Sequence, residues 1–515
     1  MNKTKNLLLI LIATSALLFF FKLGSFSLYD AAETTYGEFI KQIMLTSDWI
    51  TMHFNSQIIF DKPPLYFWLA RMFTILIDFN EWAIRLPAAI FGVLTVITTF
   101  LLGKVFYNKK VGLLSAIVLM TAFQFLIQSR IAELDVLLVF FITAGLYCFW
   151  QGKYKLMYFW LALGTLIKGI IAIAMPGFAI FLFLLFTKEL KKLKELQLLQ
   201  GFLIILAIGG PWYAAEWVLH GEKFTQFVLG FLFLSRFQGV VSGHPGPLYY
   251  YLPALLLGFF PWSHFIPYAL VKTWKAATNR SQATKLPSHP AILTLCYIIP
   301  VFLVFSIAKT KLPNYILPIY PFLAIMVGKL WVDFQKSERH AMLISNIGLA
   351  IVVALVFIAA AIAGRQYSGS YEALMPQLQL LGTIIACGSL VSILFFIFKK
   401  YQLSFVTLPI MVFVMTAILT TQTLPAVEEY KGTKELAQRV SEVVGASLIA
   451  AYNVGNRPGI VFYNSKPIIY LETEKELVIF LKNKKGYCFT TIEEYNKLKK
   501  KPTALNKKGD LVVVY

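Results

Sequence analysis

Runs of about twenty apolar residues follow one another from the amino terminus to about residue 424, and that pattern limits the fold more than any other feature of the chain. A helix needs about 20 residues to cross a hydrocarbon core about 30 Å thick. Within lipid, only helices and closed barrels satisfy their own backbone groups. The runs read as an all-α polytopic membrane protein of about thirteen spans, centred near residues 15, 95, 120, 143, 162, 178, 207, 258, 299, 322, 352, 388 and 412. Composition agrees: 58% of residues are hydrophobic and 14% charged, where soluble domains carry about 25% charged.

The chain holds 47 Lys+Arg against 26 Asp+Glu, a formal net charge of +21. The excess sits in short gaps: Lys104, Lys109 and Lys110, Lys153 and Lys155, residues 188–194 and 272–285, Lys336 and Arg339, and Lys399 and Lys400. The gaps between these are poorer in basic residues, so the basic ones are assigned to the cytoplasm. Charge dispersed in this way does not build the basic, aromatic-studded surface of a nucleic-acid partner. Lys3 and Lys5 precede an apolar run over 7–21 with no small-residue cleavage site after it, which reads as an uncleaved first helix starting inside. The stretch 156–186 would form one helix of about 46 Å. Two short spans turning at Lys168 and Gly169 instead keep 188–194 inside. Cys148, Cys296, Cys387 and Cys488 are scattered, without disulfide-framework or zinc spacing.

Two segments break the pattern. Residues 22–82 are a mixed polar and apolar stretch too long for an ordinary connection, and with the amino terminus inside they face out. Within them Tyr36, Phe39, Ile40 and Ile43 recur at helical spacing against Glu38, Lys41 and Gln42, an amphipathic helix expected along the membrane surface. Residues 425–515 are polar and Lys-rich. Alternation predicts strands over 447–452, 467–471, 486–491 and 510–515, with helices over 432–444, 458–463 and 474–482. The expectation is a transmembrane domain over 1–424 and a small α/β domain over 425–515, which an odd number of spans puts outside.

In that topology the chemically capable clusters all fall on the outer side. Leu28-Tyr29-Asp30-Ala31-Ala32-Glu33-Thr34-Thr35-Tyr36 brings two carboxylates to the membrane boundary, where a carboxylate also serves as a helix cap. Phe60-Asp61-Lys62-Pro63-Pro64 holds an ammonium in an extended turn. Arg130-Ile131-Ala132-Glu133-Leu134-Asp135 and Lys309-Thr310-Lys311-Leu312-Pro313-Asn314-Tyr315 occupy two further turns, and Gly243-His244 precedes the aromatic run 249–251. Basic groups beside apolar helices suit a lipid-borne phosphate, and a carboxylate suits deprotonation of an acceptor.

These strings, with Ser47-Asp48-Trp49 and Pro261-Trp262, resemble in order the motifs of the polyprenyl-phosphate-dependent glycosyltransferases, the lipid A aminoarabinose transferases and protein mannosyltransferases. The resemblance spans nearly the whole membrane part. It implies a glycosyltransferase C fold of about thirteen helices with a small outer carboxyl-terminal domain. The implied reaction is inverting transfer of a sugar from a polyprenyl-phosphate donor to a lipid or protein acceptor outside the cytoplasmic membrane. By the same resemblance a first-loop acid and Asp135 are catalytic and Lys62 meets the donor phosphate. Tyr315, Lys309 and Lys311 are further phosphate contacts, and Tyr36, Arg130 and His244 are substrate contacts.

The match departs at one point. Relatives carry an Asp-Glu pair four and three residues before the tyrosine matching Tyr36, whereas this chain has Ala32 and Glu33, with Asp30 displaced by two, and Thr35 where an Arg is usual. The base is therefore Asp30 or Glu33, with the shorter acid directly after the span preferred. No cofactor is required. Asp61 and His244 offer only two ligands for a structural divalent metal, fewer than zinc's four. A secondary transporter would need ionisable groups at mid-membrane and repeated halves, and no internal repeat is visible. An oligosaccharide ligase or polymerase is the other alternative.

Overall fold

The computed structural model describes residues 2–228, 245–278, 288–334, 338–366, 374–445, 447–484 and 486–515. Helix α1 (Asn2–Phe20) leads into α2 (Ala32–Thr46), a hairpin of β1 (Met52–Phe54) and β2 (Gln57–Ile59), and α3 (Leu65–Ile77). The apolar core follows in α4 (Glu81–Phe106), α5 (Lys109–Met120), α6 (Phe123–Gln128), α7 (Asp135–Trp150), α8 (Tyr154–Lys168), α9 (Ile171–Phe186) and α10 (Leu198–His220). Sequence sets several of these limits. Asn80 caps α4 by accepting from the Ala83 amide, and Asn108 caps α5 by accepting from Lys110 and Val111. Gly112 lets α5 press on α4 so closely that a Cβ there would stand 2.4 Å from the Phe100 carbonyl oxygen. Gly169, at φ +64°, ends α8 and turns the chain into α9, so 156–186 is two helices.

Further helices run over His289–Ile307, Tyr320–Val332, Arg339–Gln366, Met375–Ile397 and Tyr401–Ile418. Near residue 258 the chain forms two shorter helices, Tyr251–Gly258 and Ile266–Thr278, with a 3-10 turn at Ser263–Phe265 between them. Among the described residues six helices are long and apolar enough to cross a membrane, and shorter apolar helices accompany them.

Helix α2 forms where the spacing predicts it, but it does not lie on an open surface. Phe39, Ile40 and Ile43 are buried, and the Phe39 ring meets Phe67 of α3 edge-on at 5.1 Å. The opposite face is also covered, because the Lys41 ammonium donates to the carbonyls of Val461, Phe462 and Asn464 at 2.8–3.0 Å. Those carbonyls end the short helix Gly459–Tyr463 of the carboxyl-terminal segment, a favourable place for a cation.

That segment forms a five-stranded sheet of order β4-β3-β5-β7-β6 from β3 (Ile449–Tyr452), β4 (Ile468–Leu471), β5 (Tyr487–Thr491), β6 (Ala504–Lys508) and β7 (Leu511–Val514). Strand β3 runs parallel to β4 and β5, with Ala450 opposite Ile469 and Cys488, and β7 runs antiparallel to β5 and β6. Helices Thr433–Val443 and Glu474–Lys484 cover the sheet, as expected for parallel strands buried on both faces.

Candidate active site

A cavity of about 880 Å³ lies among α8, α9, α10 and the helix His289–Ile307. Its walls are apolar, and its ionisable lining gathers at one end: Asp61, Lys62, Asp135 and Lys168, with Tyr315 beside them. Pro63 and Pro64 keep Asp61 and Lys62 out of α3, in an extended turn that sets both on the lining. The Lys62 ammonium stands 2.8 Å from Asp61 Oδ2, and Asp61 keeps 37% of its side chain exposed. Asp135, the first residue of α7, is nearly buried. Its Oδ1 accepts from Lys168 Nζ at 2.6 Å and its Oδ2 from Asn314 Nδ2 at 2.7 Å. The Lys168 ammonium also lies 5.4 Å from the Tyr315 ring centroid.

Two further groups stand behind this end. Glu133 sits in the turn before α7, and burial, then the Asp135 carboxylate, push its carboxyl up to about 8. Burial, then the Glu133, Asp61 and Asp135 carboxylates, hold the Tyr36 phenol well above its ordinary value. Tyr36 is thus beside the cluster, with its ring packed on Phe67 at 5.5 Å, but it does not line the cavity.

Both acids proposed as the base lie elsewhere. Glu33 is 1% exposed and forms a two-pronged pair with fully buried Arg85, Nε to Oε1 and Nη2 to Oε2 at 2.8 Å each. Its oxygens also accept from the backbone amides of Tyr29 and Ala132. With its acceptor directions occupied, Glu33 is a staple between the first loop, α4 and the turn that carries Glu133 and Asp135. Asp30 points to the carboxyl-terminal segment, its Oδ1 accepting from the Gly459 amide at 2.9 Å and its Oδ2 from the Thr433 hydroxyl at 3.2 Å.

Three cations also differ from expectation. Arg130 donates to the carbonyls of Leu18 and Phe21, closing the end of α1. Lys311, 3% exposed, donates to the carbonyls of Ser306 and Ala308 at the end of His289–Ile307. Both serve helix carboxyl ends, where cations are favourable. Lys309 is exposed and off the cavity lining. His244 lies outside the described residues, so its pairing with Asp61 for a metal does too. Among the described residues no three His, Cys, Asp or Glu side chains gather as a metal site.

Lys168, which the sequence marks as a turn residue, and Asn314 both donate to Asp135, a role the sequence alone does not reveal. Their signal was position, since each ends or follows an apolar run on the same side as Lys62.

Two solved structures share this fold. The chain superposes on ArnT from Cupriavidus metallidurans bound to undecaprenyl phosphate with a TM-score of 0.80 at 20% identity, covering 98% of this chain and 97% of that one. It superposes on the archaeal oligosaccharyltransferase AglB from Archaeoglobus fulgidus with a TM-score of 0.54 at 13% identity, over 96% and 70%. The fold is shared with both of these membrane proteins. By sequence, residues 61–214 match the dolichyl-phosphate-mannose-protein mannosyltransferase profile. An uncharacterized protein of Aquifex aeolicus is 27% identical over 94% of this chain and 91% of its own. The undecaprenyl phosphate-α-4-amino-4-deoxy-L-arabinose arabinosyl transferase 2 of Proteus mirabilis is 29% identical over 69% of this chain, and the match spans 66% of that relative's length. Over residues 61–214 in profile, and over most of its length in sequence and fold, the chain is similar to polyprenyl-phosphate-dependent glycosyltransferases of the aminoarabinose-transferase and protein-mannosyltransferase type.

Proposed function

We propose that this protein transfers a sugar from a polyprenyl-phosphate donor to a lipid acceptor at the outer face of the cytoplasmic membrane, with its amino terminus in the cytoplasm and its carboxyl-terminal domain outside. The observation that carries this reading is the cavity itself, in which apolar walls lead to an end bearing two ammonium groups and two carboxylates. A prenyl tail suits the walls. A phosphate suits Lys62 and Lys168, with Tyr315 alongside.

The acceptor hydroxyl oxygen attacks the anomeric carbon on the side opposite the phosphate. The carbon–oxygen bond to the phosphate breaks, and polyprenyl phosphate leaves with its charge against Lys62 and Lys168. The hydroxyl proton passes to a carboxylate. Asp61 suits that role best, since Asp135 has both oxygens engaged by Lys168 and Asn314 while Asp61 keeps exposed surface on the cavity. Asp135 orients Lys168. The scheme needs no cofactor, because the leaving group is already a phosphate.

The test is transfer by purified protein in lipid, offered a panel of polyprenyl-phosphate sugars and lipid acceptors. Asp61→Asn should lower turnover by about two to four decades, whereas Asp30→Asn should leave most of it. An Asp61→Asn protein that is folded and fully active would remove Asp61 from the chemistry. A protein that consumes no donor while moving a solute across the bilayer would point to a transporter.

A further inference from the structure

Helix α10 carries a buried acid that the scheme above does not use. Little of this helix is buried, and one side of it walls the cavity with Phe202, Leu206, Trp212 and Tyr213. In its last turns Glu216 turns inward and is 1% exposed. The Thr51 hydroxyl, itself buried, donates to Glu216 Oε2 at 3.3 Å and stands 2.8 Å from His220 Nε2. One hydroxyl cannot donate to both, so the consistent arrangement has His220 Nε2–H donating to the Thr51 oxygen.

Around this node α10 grips the first loop at two more points. The Trp212 indole N–H donates to the Ile50 carbonyl at 2.9 Å. The His220 ring lies 5.1 Å from the ring of Phe60, the residue before Asp61. Phe60 and Trp212 themselves line the cavity. Elsewhere α10 leans on α8, where Tyr213 donates to the Thr165 carbonyl at 3.2 Å.

An ionisable side chain buried at the end of an apolar helix is costly, and apolar packing would usually serve stability as well or better. A specific geometric demand accounts for it. The node joins the wall on which a lipid tail would lie to the chain segment that ends in the phosphate-binding turn.

We infer that Glu216, His220 and Thr51 are positioning residues, a latch that fixes the distance between the lipid-binding wall of α10 and the Asp61-Lys62 turn. The inference rests on the proposed donor. Breaking the latch lets wall and turn move apart, so the tail and the phosphate are no longer held together at no cost to the donor. Donor affinity then falls, and by more than the turnover of donor already bound, on which the displaced Asp61 also bears.

The experiment measures donor KM and kcat for protein in lipid, unsubstituted and as Thr51→Val, Thr51→Ser, Glu216→Leu and Glu216→Gln. Thr51→Val and Glu216→Leu should raise donor KM about tenfold, with a smaller fall in kcat at saturating donor. Thr51→Ser and Glu216→Gln keep a hydroxyl and an acceptor in place and should return KM close to that of the unsubstituted protein. An unchanged KM in Thr51→Val overturns the latch. So does a fall in kcat alone, which is what a loss of folded protein would give. If Glu216→Leu does not fold, the Thr51→Val and Thr51→Ser pair decides. Should the unsubstituted protein neither consume the donor nor bind polyprenyl phosphate, the proposed function falls and takes the latch with it, an outcome distinct from normal turnover with an unmoved KM.

Discussion

Glu133 is a side chain whose protonation distinguishes the native site from the unfolded chain. Burial, then the neighbouring Asp135, push its carboxyl up to about 8, while an unfolded chain releases that proton in the ordinary carboxyl range. Between those values the native state binds more protons than the unfolded state. Stability contributed at this residue therefore falls as pH rises through the window, and the loss is complete once pH exceeds about 8. Glu133→Gln is neutral throughout and removes Glu133's part of the slope. The check is the half-time of thermal inactivation in lipid at about pH 5, 7 and 9 for both proteins. The unsubstituted protein should inactivate faster with each step and the variant should show a shallower slope, with the buried Glu216 carboxyl supplying part of what remains; an equal slope in the variant would assign the whole effect to other groups.

Between elements, the Glu33–Arg85 pair does what neither residue does within its own helix. Glu33 opens α2 and Arg85 lies in the first turns of α4. Arg85 also donates to the carbonyls of Leu23, Phe26 and Ser27, and Glu33 accepts from the Ala132 amide, so four segments meet at one buried pair. Removing one partner of a buried pair costs about 3–5 kcal/mol, because the other charge is left uncompensated. Glu33→Leu should sharply lower the temperature at which the protein loses its monodisperse peak on size exclusion, and Glu33→Leu with Arg85→Met should recover part of that loss. A heat-stable Glu33→Leu whose turnover fell by decades would instead restore Glu33 as the base. Much of the element map was legible in the sequence. The 33–45 periodicity marked α2, Lys168-Gly169 marked the break in 156–186, and alternation marked β3, β4, β5 and β7 within a few residues. Strand β6 escaped because Ala-Leu-Asn-Lys-Lys has no apolar face of its own and becomes a strand only as the edge partner of β7. The covering of α2 escaped too, since an amphipathic pattern does not say whether lipid, water or a distant segment meets its polar face.

At the scale of the whole molecule, legibility of the site followed the range of its interactions. Asp61, Lys62, Asp135 and Tyr315 stood in recognisable local strings and line the cavity. Asp30 and Glu33 stood in an equally suggestive string, but their partners are Gly459 and Arg85, one 429 and the other 52 residues away, and no local pattern announces them. The cavity's apolar wall was likewise only one more membrane helix until the fold set it beside Lys62. That wall carries the last prediction. Ile170, Phe178, Phe202, Leu206 and Val304 line the cavity, yet each is at least half exposed, so the same residues face both the cavity and the surroundings of the bundle. In water such a surface would be an aggregation liability; in a bilayer it is an unbroken apolar path from the lipid to the charged end. A donor tail on that path leaves lipid as apolar as the wall itself, so it gains affinity by van der Waals packing along the wall rather than by removal from water. The tail is remote from the anomeric carbon and is held equally in ground state and transition state, so it acts as uniform binding. Replacing the long prenyl chain of the donor by a two-isoprene chain should therefore raise donor KM by at least about tenfold while kcat at saturation holds. The same sugar phosphate presented in detergent and in lipid separates affinity for the protein from partitioning into the membrane. If the short donor matched the long one in KM, the wall would be lipid-facing packing alone and the phosphate end would carry the whole of donor recognition.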